Sequence, residues 1–162
     1  MLKHIIPSHF SPQSRIWIYP APRPFTETEI QIINTSSENF LQQWKAHGHP
    51  VDGFVSVYLN QFILVVADES RVVVSGCSTD QSVHWVQSIA QQLSIDLFDR
   101  TMISFWINDQ VMSLQLDSLT EAIQQEIIQP DSLYINTTVL NKNDFEQFGI
   151  IPANNSWLKR YF

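Results

Sequence analysis

A cysteine and a histidine stand seven residues apart in a pattern that could support nucleophilic chemistry. Cys77 is the only cysteine of the chain, and His84 follows it in a predicted helix. A histidine can serve as the base for a thiol, and the N-terminus of a helix favours thiolates. Seven helical residues rise about 10 Å, so this pair needs a turn at Gly76 that folds the thiol back. A small buried cysteine beside a solvated histidine is the structural alternative.

Hydroxyl groups near this cysteine form a second candidate site, one that would hold an anion. Residues 72–74 are predicted to form a buried strand, and the following helix is expected over about 80–93 with Ser78 or Thr79 as its N-cap. The residues that could bind a phosphate or carboxylate with the helix amides are Ser75, Gly76, Ser78 and Thr79. Gly76 is expected to adopt a positive φ. Asp80 already complements the helix dipole, so we expect a cap first and an anion site second.

Arg100 is the third candidate. It ends the segment 96–100 (Asp-Leu-Phe-Asp-Arg) and is the only lysine or arginine between Val72 and Asn141. One interpretation is an internal ion pair or the cap of a tight turn. The other is an Asp/Arg pair that binds the carboxylate or phosphate of a ligand bidentately.

Two further groups carry weaker signals. His47 and His49 could reach one metal ion, but zinc normally takes three or four protein ligands, so we expect no metal and no cofactor. The alternative for these histidines is the C-terminal end of a helix that stops at Gly48. Asp68 and Glu69 could exchange protons with a substrate, although adjacent loop carboxylates are more often simply solvated.

The elements that must position these residues are a mixture of strands and helices. Thr26 and Glu29 form a capping box that starts the first helix. Turns around Asn60 and over 108–110 predict two hairpins. Strands are predicted at 15–19, 54–58, 62–66, 102–107, 111–116 and 133–139, with later helices at 80–93, 119–128 and 144–148.

The order of these elements to about residue 107 is β-α-β-β-α-β. It predicts an α+β fold with a mostly antiparallel sheet and helices on one face. A ferredoxin-like core fits this order, and a profilin- or roadblock-like sheet is the alternative. We expect one domain over 1–162, with a loosely held leader at 1–14, a core at about 15–117 and a C-terminal extension at 118–162. The aromatic tail at 157–162 is expected to dock on the sheet, with an exposed partner-binding element as the alternative.

Composition excludes several function classes. The formal net charge is -7 with nine basic residues, so no basic patch for nucleic acid is expected. The longest apolar run, 62–67, is far shorter than a membrane-spanning helix needs, so no membrane is expected. A single cysteine suits a reducing compartment, and we expect a cytoplasmic protein.

Six segments carry a resemblance that spans nearly the whole chain. They are 16–19, 23–26, 44–48, 75–84, 96–100 and 156–157. These segments resemble a family of small bacterial proteins often labelled "ABC transporter ATPase". The resemblance implies a bacterial cytoplasmic protein and assigns no catalytic residue. ATP hydrolysis is not expected, because the chain has no G-x-x-x-x-G-K-[ST] phosphate loop.

These observations favour a small non-enzymatic domain that binds a protein partner or a second copy of itself. Five tryptophans and ten phenylalanines would supply anchors at a sheet edge or an aromatic surface. The alternative is a thiol-dependent enzyme or sensor built on Cys77. In that case His84 would act as base or orienting group, and the helix N-terminus would stabilise an anion.

Overall fold

The fold is built on a three-stranded antiparallel sheet with a fully buried central strand. The computed structural model describes residues 4–162. In this sheet β5 (Phe62–Asp68) lies between β1 (Arg15–Pro20) and β4 (Asp52–Tyr58). All seven residues of β5 are buried, because both faces of the sheet are covered.

Two helices cover one face of this sheet. The helices α1 (Glu27–Gln43) and α2 (Gly76–Leu93) share a hydrophobic core with alternate residues of β5. The predicted capping box at the start of α1 is confirmed: the Thr26 hydroxyl accepts from the Glu29 amide, and the Glu29 carboxylate accepts from the Thr26 amide. Helices on one face of an antiparallel sheet are therefore part of the observed fold.

The opposite face is covered partly by the N-terminal segment. The expectation of a loosely held leader over 1–14 is wrong for residues 4–14, while residues 1–3 lie outside the described part. Ile6 and Phe10 are 4% and 7% exposed and belong to the core on this face. Their apolar side chains bury against the sheet, which outweighs the loop-like composition around them.

A second, four-stranded antiparallel sheet follows α2. Its strands lie in the order β7-β6-β8-β9. Their bounds are β6 (Met102–Ile107), β7 (Gln110–Gln115), β8 (Leu133–Ile135) and β9 (Ile150–Pro152). The remaining strands and α-helices are the short hairpin β2 (Lys45–Ala46) and β3 (His49–Pro50), with α3 (Leu119–Gln124) and α4 (Lys142–Phe148). Short 3-10 helices lie at Leu116–Ser118, Ala153–Asn155 and Trp157–Tyr161. Residues 118–162, expected as an extension, thus complete this sheet.

The α+β class with antiparallel sheets is confirmed. The order β1-β5-β4 is also that of three strands of a ferredoxin-like sheet, in which the next strand would lie beside β1. That strand, β6, instead pairs with β7 and β8 in the second sheet. The outer edge of β1 therefore lacks the neighbour that a ferredoxin-like sheet would give it.

Local turns explain which hairpins form. Both predicted hairpins are confirmed, and their turn residues adopt positive φ angles as type I′ turns require. These residues are Leu59 (50°), Asn60 (56°), Asn108 (50°) and Asp109 (60°). The β6–β7 turn keeps β6 beside β7, and Ile103 and Phe105 then bury in a separate core with α3.

Three predicted elements differ from the structure. Residues 72–74 form a loop and not a buried strand, with Val73 65% exposed, because the chain is already turning into α2. The strand expected at 133–139 ends at Ile135, and the helix expected at 119–128 ends at Gln124.

Candidate functional site

The start of α2 differs from the turn on which the cysteine hypothesis depends. Ser75 is the N-cap and Gly76 the first helical residue, so the start expected near residue 80 is wrong. Gly76 is not among the described residues with positive φ, and the tight glycine turn expected there is wrong as well. The helix begins early because Ser75 and Ser78 cap each other: each hydroxyl accepts from the other's amide.

Cys77 and His84 are both exposed on this one helix. Their separation of seven helical residues corresponds to a rise of about 10 Å, so the imidazole cannot receive a proton directly from the thiol. The exposure of His84 agrees with the solvated histidine of the structural alternative. The expected alternative of a buried cysteine is wrong, and a chemical role for the exposed thiol stays a prediction.

The hydroxyls of the predicted anion site are used for helix capping. Ser78 is fully buried, and its hydroxyl contacts that of Ser75 at 3.0 Å. The Thr79 hydroxyl donates to the Ser75 carbonyl at 2.9 Å. Anion binding by these residues stays a prediction, with the capping role now defined in atomic detail.

The two histidines considered for metal binding lie in the β2–β3 hairpin and not at a helix end. His47 and Gly48 form its turn with φ angles of 52° and 77°, and His49 is exposed. Within residues 4–162, no group of three or more His, Cys, Asp or Glu side chains is placed to hold a metal ion.

The adjacent carboxylates at the end of β5 are structural. Asp68 is buried and accepts from the Ser70 amide and hydroxyl and from the Ser11 amide. Burial alone would raise the pKa of Asp68, but the hydrogen bonds from Ser70 and Ser11 together outweigh it, so the pKa is lowered. Glu69 accepts from the Val74 amide. Asp68 thus holds the loop at Ser11 and Glu69 holds the loop before α2, in contrast to the solvated pair expected from the sequence.

Arg100 lies in a groove that the sequence does not reveal. The groove has a volume of about 410 Å³. It is lined by β1 from Ile16 onward, by the segment 97–102 and by the segment 137–140. Its size is within the range of small ligand sites. Of the predicted site residues, only Arg100 contributes to it.

The edge of β1 forms one wall of this groove. The Ile16 amide donates to the Leu140 carbonyl at 3.0 Å, and the main chain of Arg15 pairs with that of Asn141 in an isolated antiparallel β-bridge. Main-chain groups of successive residues in an antiparallel strand point to opposite sides. The Ile16 amide points away from β5, toward Leu140. The main-chain N–H and C=O groups of Ile18, two residues further along, therefore also point away from β5. They face the groove, where segment 137–140 makes no main-chain hydrogen bond to them.

The groove is apolar along most of its surface. Leu97 is buried at its base, while Phe98 and Leu140 are 39% and 73% exposed at its rim. Tyr19 packs edge-on against Phe98, with ring centroids 5.4 Å apart. Burial raises the pKa of Tyr19, and the nearby Arg100 charge lowers it by less, so this phenol is neutral.

The two charged residues of the groove have very different surroundings. The Asp99 carboxylate accepts from the Thr101 amide and hydroxyl and from the Gln115 side-chain amide. These hydrogen bonds, with that of the Thr101 hydroxyl first, lower the pKa of Asp99. Arg100 is exposed and, within the part of the chain that the structure describes, forms no ion pair. The turn-cap interpretation of this segment is confirmed for Asp99, and the internal ion pair is not formed.

A second, more open depression lies near the C-terminus. It has a volume of about 440 Å³ and is lined on one side by Phe148 and Trp157. The Trp157 indole donates to the Tyr134 hydroxyl at 3.0 Å, and Leu158 is fully buried against the second sheet. The predicted docking of the tail on a sheet is thus confirmed.

No family model, curated protein or solved structure matches this chain. The resemblance to the bacterial family labelled "ABC transporter ATPase" stays a prediction. Within residues 4–162, no helix combines the length and apolar character that crossing a membrane requires.

Proposed function

We propose that this protein binds an extended segment of a partner protein along the outer edge of β1. The observation that carries the proposal is the Ile18 main chain, whose N–H and C=O groups face an apolar groove and have no strand partner among residues 4–162. An extended peptide that adds to a sheet edge gains main-chain hydrogen bonds there, while pockets along the edge select its side chains.

The topology supports a strand as the occupant. The groove lies at the edge where the fourth strand of a ferredoxin-like sheet would pair with β1, and the chain places β6 in another sheet. The segment 137–141 already covers Arg15 and Ile16, so the open part runs from Trp17 to Pro20. A bound segment would therefore pair over about three or four residues, given a rise of about 3.3 Å per residue.

Side-chain contacts must supply much of the affinity, because such a short edge offers few hydrogen bonds. Leu140 and Phe98 expose apolar surface in the groove, and the buried Leu97 and Met102 also line it. Aromatic and aliphatic side chains are the usual anchors of binding interfaces. The partner's segment would thus place an apolar side chain between Leu140 and Phe98. We place this interaction in the cytoplasm, in keeping with the single cysteine.

A library of random linear peptides, displayed and selected on the purified protein, tests the proposal. Selected peptides should bind the wild-type protein and lose at least about fivefold in affinity to Leu140→Ser, because about 1 kcal/mol of apolar contact is removed. Val73→Ser is the matched control, since Val73 is similarly exposed but lies outside the groove. It should bind the peptides like wild type.

Two outcomes would contradict the proposal. One is that no peptide is selected at all. The other is that the selected peptides bind Leu140→Ser and Val73→Ser with the same affinity as wild type. Sedimentation over a range of concentrations tests a second copy of the chain as the occupant: a dimer that Leu140→Ser dissociates and Val73→Ser preserves would replace the partner segment with a self-interaction.

A further inference from the structure

We infer that the segment bound in the β1 groove carries an aspartate or glutamate whose side chain pairs with Arg100. This inference rests on the proposed function and adds the chemistry by which the partner is recognised. Arg100 would then be a residue that determines specificity, in addition to the apolar contacts of the groove.

The first argument is the isolation of Arg100 as a cation. It is the only lysine or arginine over residues 72–141, in a chain with a formal net charge of -7. Among the described residues that line the groove, it is the only basic one. A guanidinium without a carboxylate partner in a largely acidic protein is a specific point of attraction for an acidic group.

The second argument is that the neighbouring carboxylate is already satisfied. Asp99 has hydrogen bonds from Thr101 and Gln115 to both of its oxygens, at 2.6 to 2.9 Å. Those donors hold Asp99 and partly neutralise its charge, so its carboxylate does not bind the Arg100 guanidinium. The five N–H donors of Arg100 remain available to a carboxylate from outside.

The third argument is the position of Arg100 beside the apolar wall. Its charge acts on Tyr19, a residue of β1 that packs against Phe98. A segment along β1 would therefore pass both the apolar rim and the guanidinium. A carboxylate on that segment could form a bidentate, charge-assisted pair with the exposed guanidinium.

The test compares peptides selected on wild type with those selected on Arg100→Gln. We expect wild-type selections to be enriched in Asp or Glu at one fixed position beside an apolar residue. For the best wild-type peptide, Arg100→Gln should raise the Kd about tenfold, and changing the peptide's Asp or Glu to the amide should do the same. Combining both changes should cost little more than either alone.

The matched control is Lys159→Gln, which also removes an exposed cation but lies outside the groove. It should leave the Kd unchanged, and thermal unfolding should show that both variants fold like wild type. Peptides without acidic enrichment that bind wild type and Arg100→Gln equally would overturn this inference. Selection of a C-terminal carboxylate, with binding lost on amidation, would overturn it as well. In both cases sensitivity to Leu140→Ser would leave the proposed function standing, whereas the absence of any selected peptide would remove both.

Discussion

Arg100 and Cys77 are both exposed, one with a charged group and one with a reactive group. Their surroundings determine which of them is the better candidate for a binding residue. Arg100 lies beside an open strand edge and exposed apolar side chains. Cys77 lies exposed on the first turn of α2, and no histidine or carboxylate of residues 4–162 is hydrogen-bonded to it. Arg100 therefore has the geometry of a binding residue, whereas the structure gives Cys77 accessibility alone.

Accessibility of Cys77 leads to a first prediction. Ellman's reagent should titrate one thiol per chain in the folded protein without denaturant, because the side chain is exposed. Cys77→Ser should change the free energy of unfolding by less than about 0.5 kcal/mol, as is usual at exposed positions. A thiol that reacts only after unfolding would show that this description of the α2 N-terminus is incorrect.

The capping box of α1 provides a pH-dependent prediction. The Arg23 guanidinium, followed by the Thr26 amide, lowers the pKa of Glu29 to about 2. A carboxylate with a lowered pKa in the folded state stabilises the protein above its unfolded pKa of about 4.3. This stabilisation is lost as the pH falls through about 2. Glu29→Gln keeps an acceptor for Thr26 but removes the charge.

We expect Glu29→Gln to lower the free energy of unfolding by about 0.5–1 kcal/mol at pH 7, since solvent screens the half-exposed Arg23. Urea denaturation at pH 7 and at pH 2.5 measures this difference. The gap between variant and wild type should shrink at the lower pH. A gap of equal size at both pH values would exclude the charge as its cause.

At the level of elements, local signals account for most of what can be predicted from the sequence. The Thr26–Glu29 capping box and the turns at Asn60 and Asn108 are determined by residues adjacent in the chain, and all three are confirmed. The start of α2 is missed because Ser78, in place of the usual Glu or Gln, completes its capping box.

Two glycines in these elements make a matched pair for a stability measurement. A Cβ at Gly53, on β4, would lie 2.7 Å from the ring of Trp44, the buried C-cap residue of α1. We expect Gly53→Ala to cost about 1–3 kcal/mol, because the ring must shift within a packed core. A Cβ at Gly76 would meet nothing within 4 Å.

Gly76→Ala should be neutral or stabilise the protein by up to about 1 kcal/mol, since alanine is the better residue in a helix. Chemical denaturation of the two variants beside wild type gives both values. A Gly53→Ala variant as stable as wild type would contradict the close packing of β4 against α1.

At the level of the whole molecule, contacts between distant parts of the chain lie beyond sequence reasoning. The groove combines residues near 18, 98 and 138, which no local pattern connects, so Arg100 is the only lining residue predicted as a site. The local β6–β7 hairpin can be predicted from its turn, whereas the pairing of β6 with β8 joins distant residues and cannot. Arg100 could be predicted as a candidate site residue because it is the only lysine or arginine over residues 72–141.

Lys142, the first residue of α4, holds the N-terminal segment and gives a prediction at the scale of the whole molecule. Its buried ammonium group donates to the carbonyls of Pro7, Ser8 and Phe10 at 3.2, 3.4 and 2.9 Å. Lys142→Met would remove this donor from all three carbonyls, of which that of Pro7 would keep its hydrogen bond from the Phe10 amide. We expect a loss of about 2–3 kcal/mol in the free energy of unfolding.

Hydrogen exchange followed by mass spectrometry should show faster exchange of residues 4–14 in this variant. Lys159→Met, at an exposed position, serves as the control and should behave like wild type. Unchanged protection of residues 4–14 in Lys142→Met would mean that the apolar contacts of Ile6 and Phe10 alone hold this segment.

The most direct test of the central claim is hydrogen exchange at the Ile18 amide, measured by NMR with and without a selected peptide. In the free protein the Ile18 amide should exchange quickly, while those of Trp17 and Tyr19, which face β5, should be protected. Saturating peptide should slow exchange at Ile18 by at least about tenfold, because its N–H then donates to the added strand. An Ile18 amide that is already protected, or one that stays fast at saturation, would contradict binding at the edge of β1.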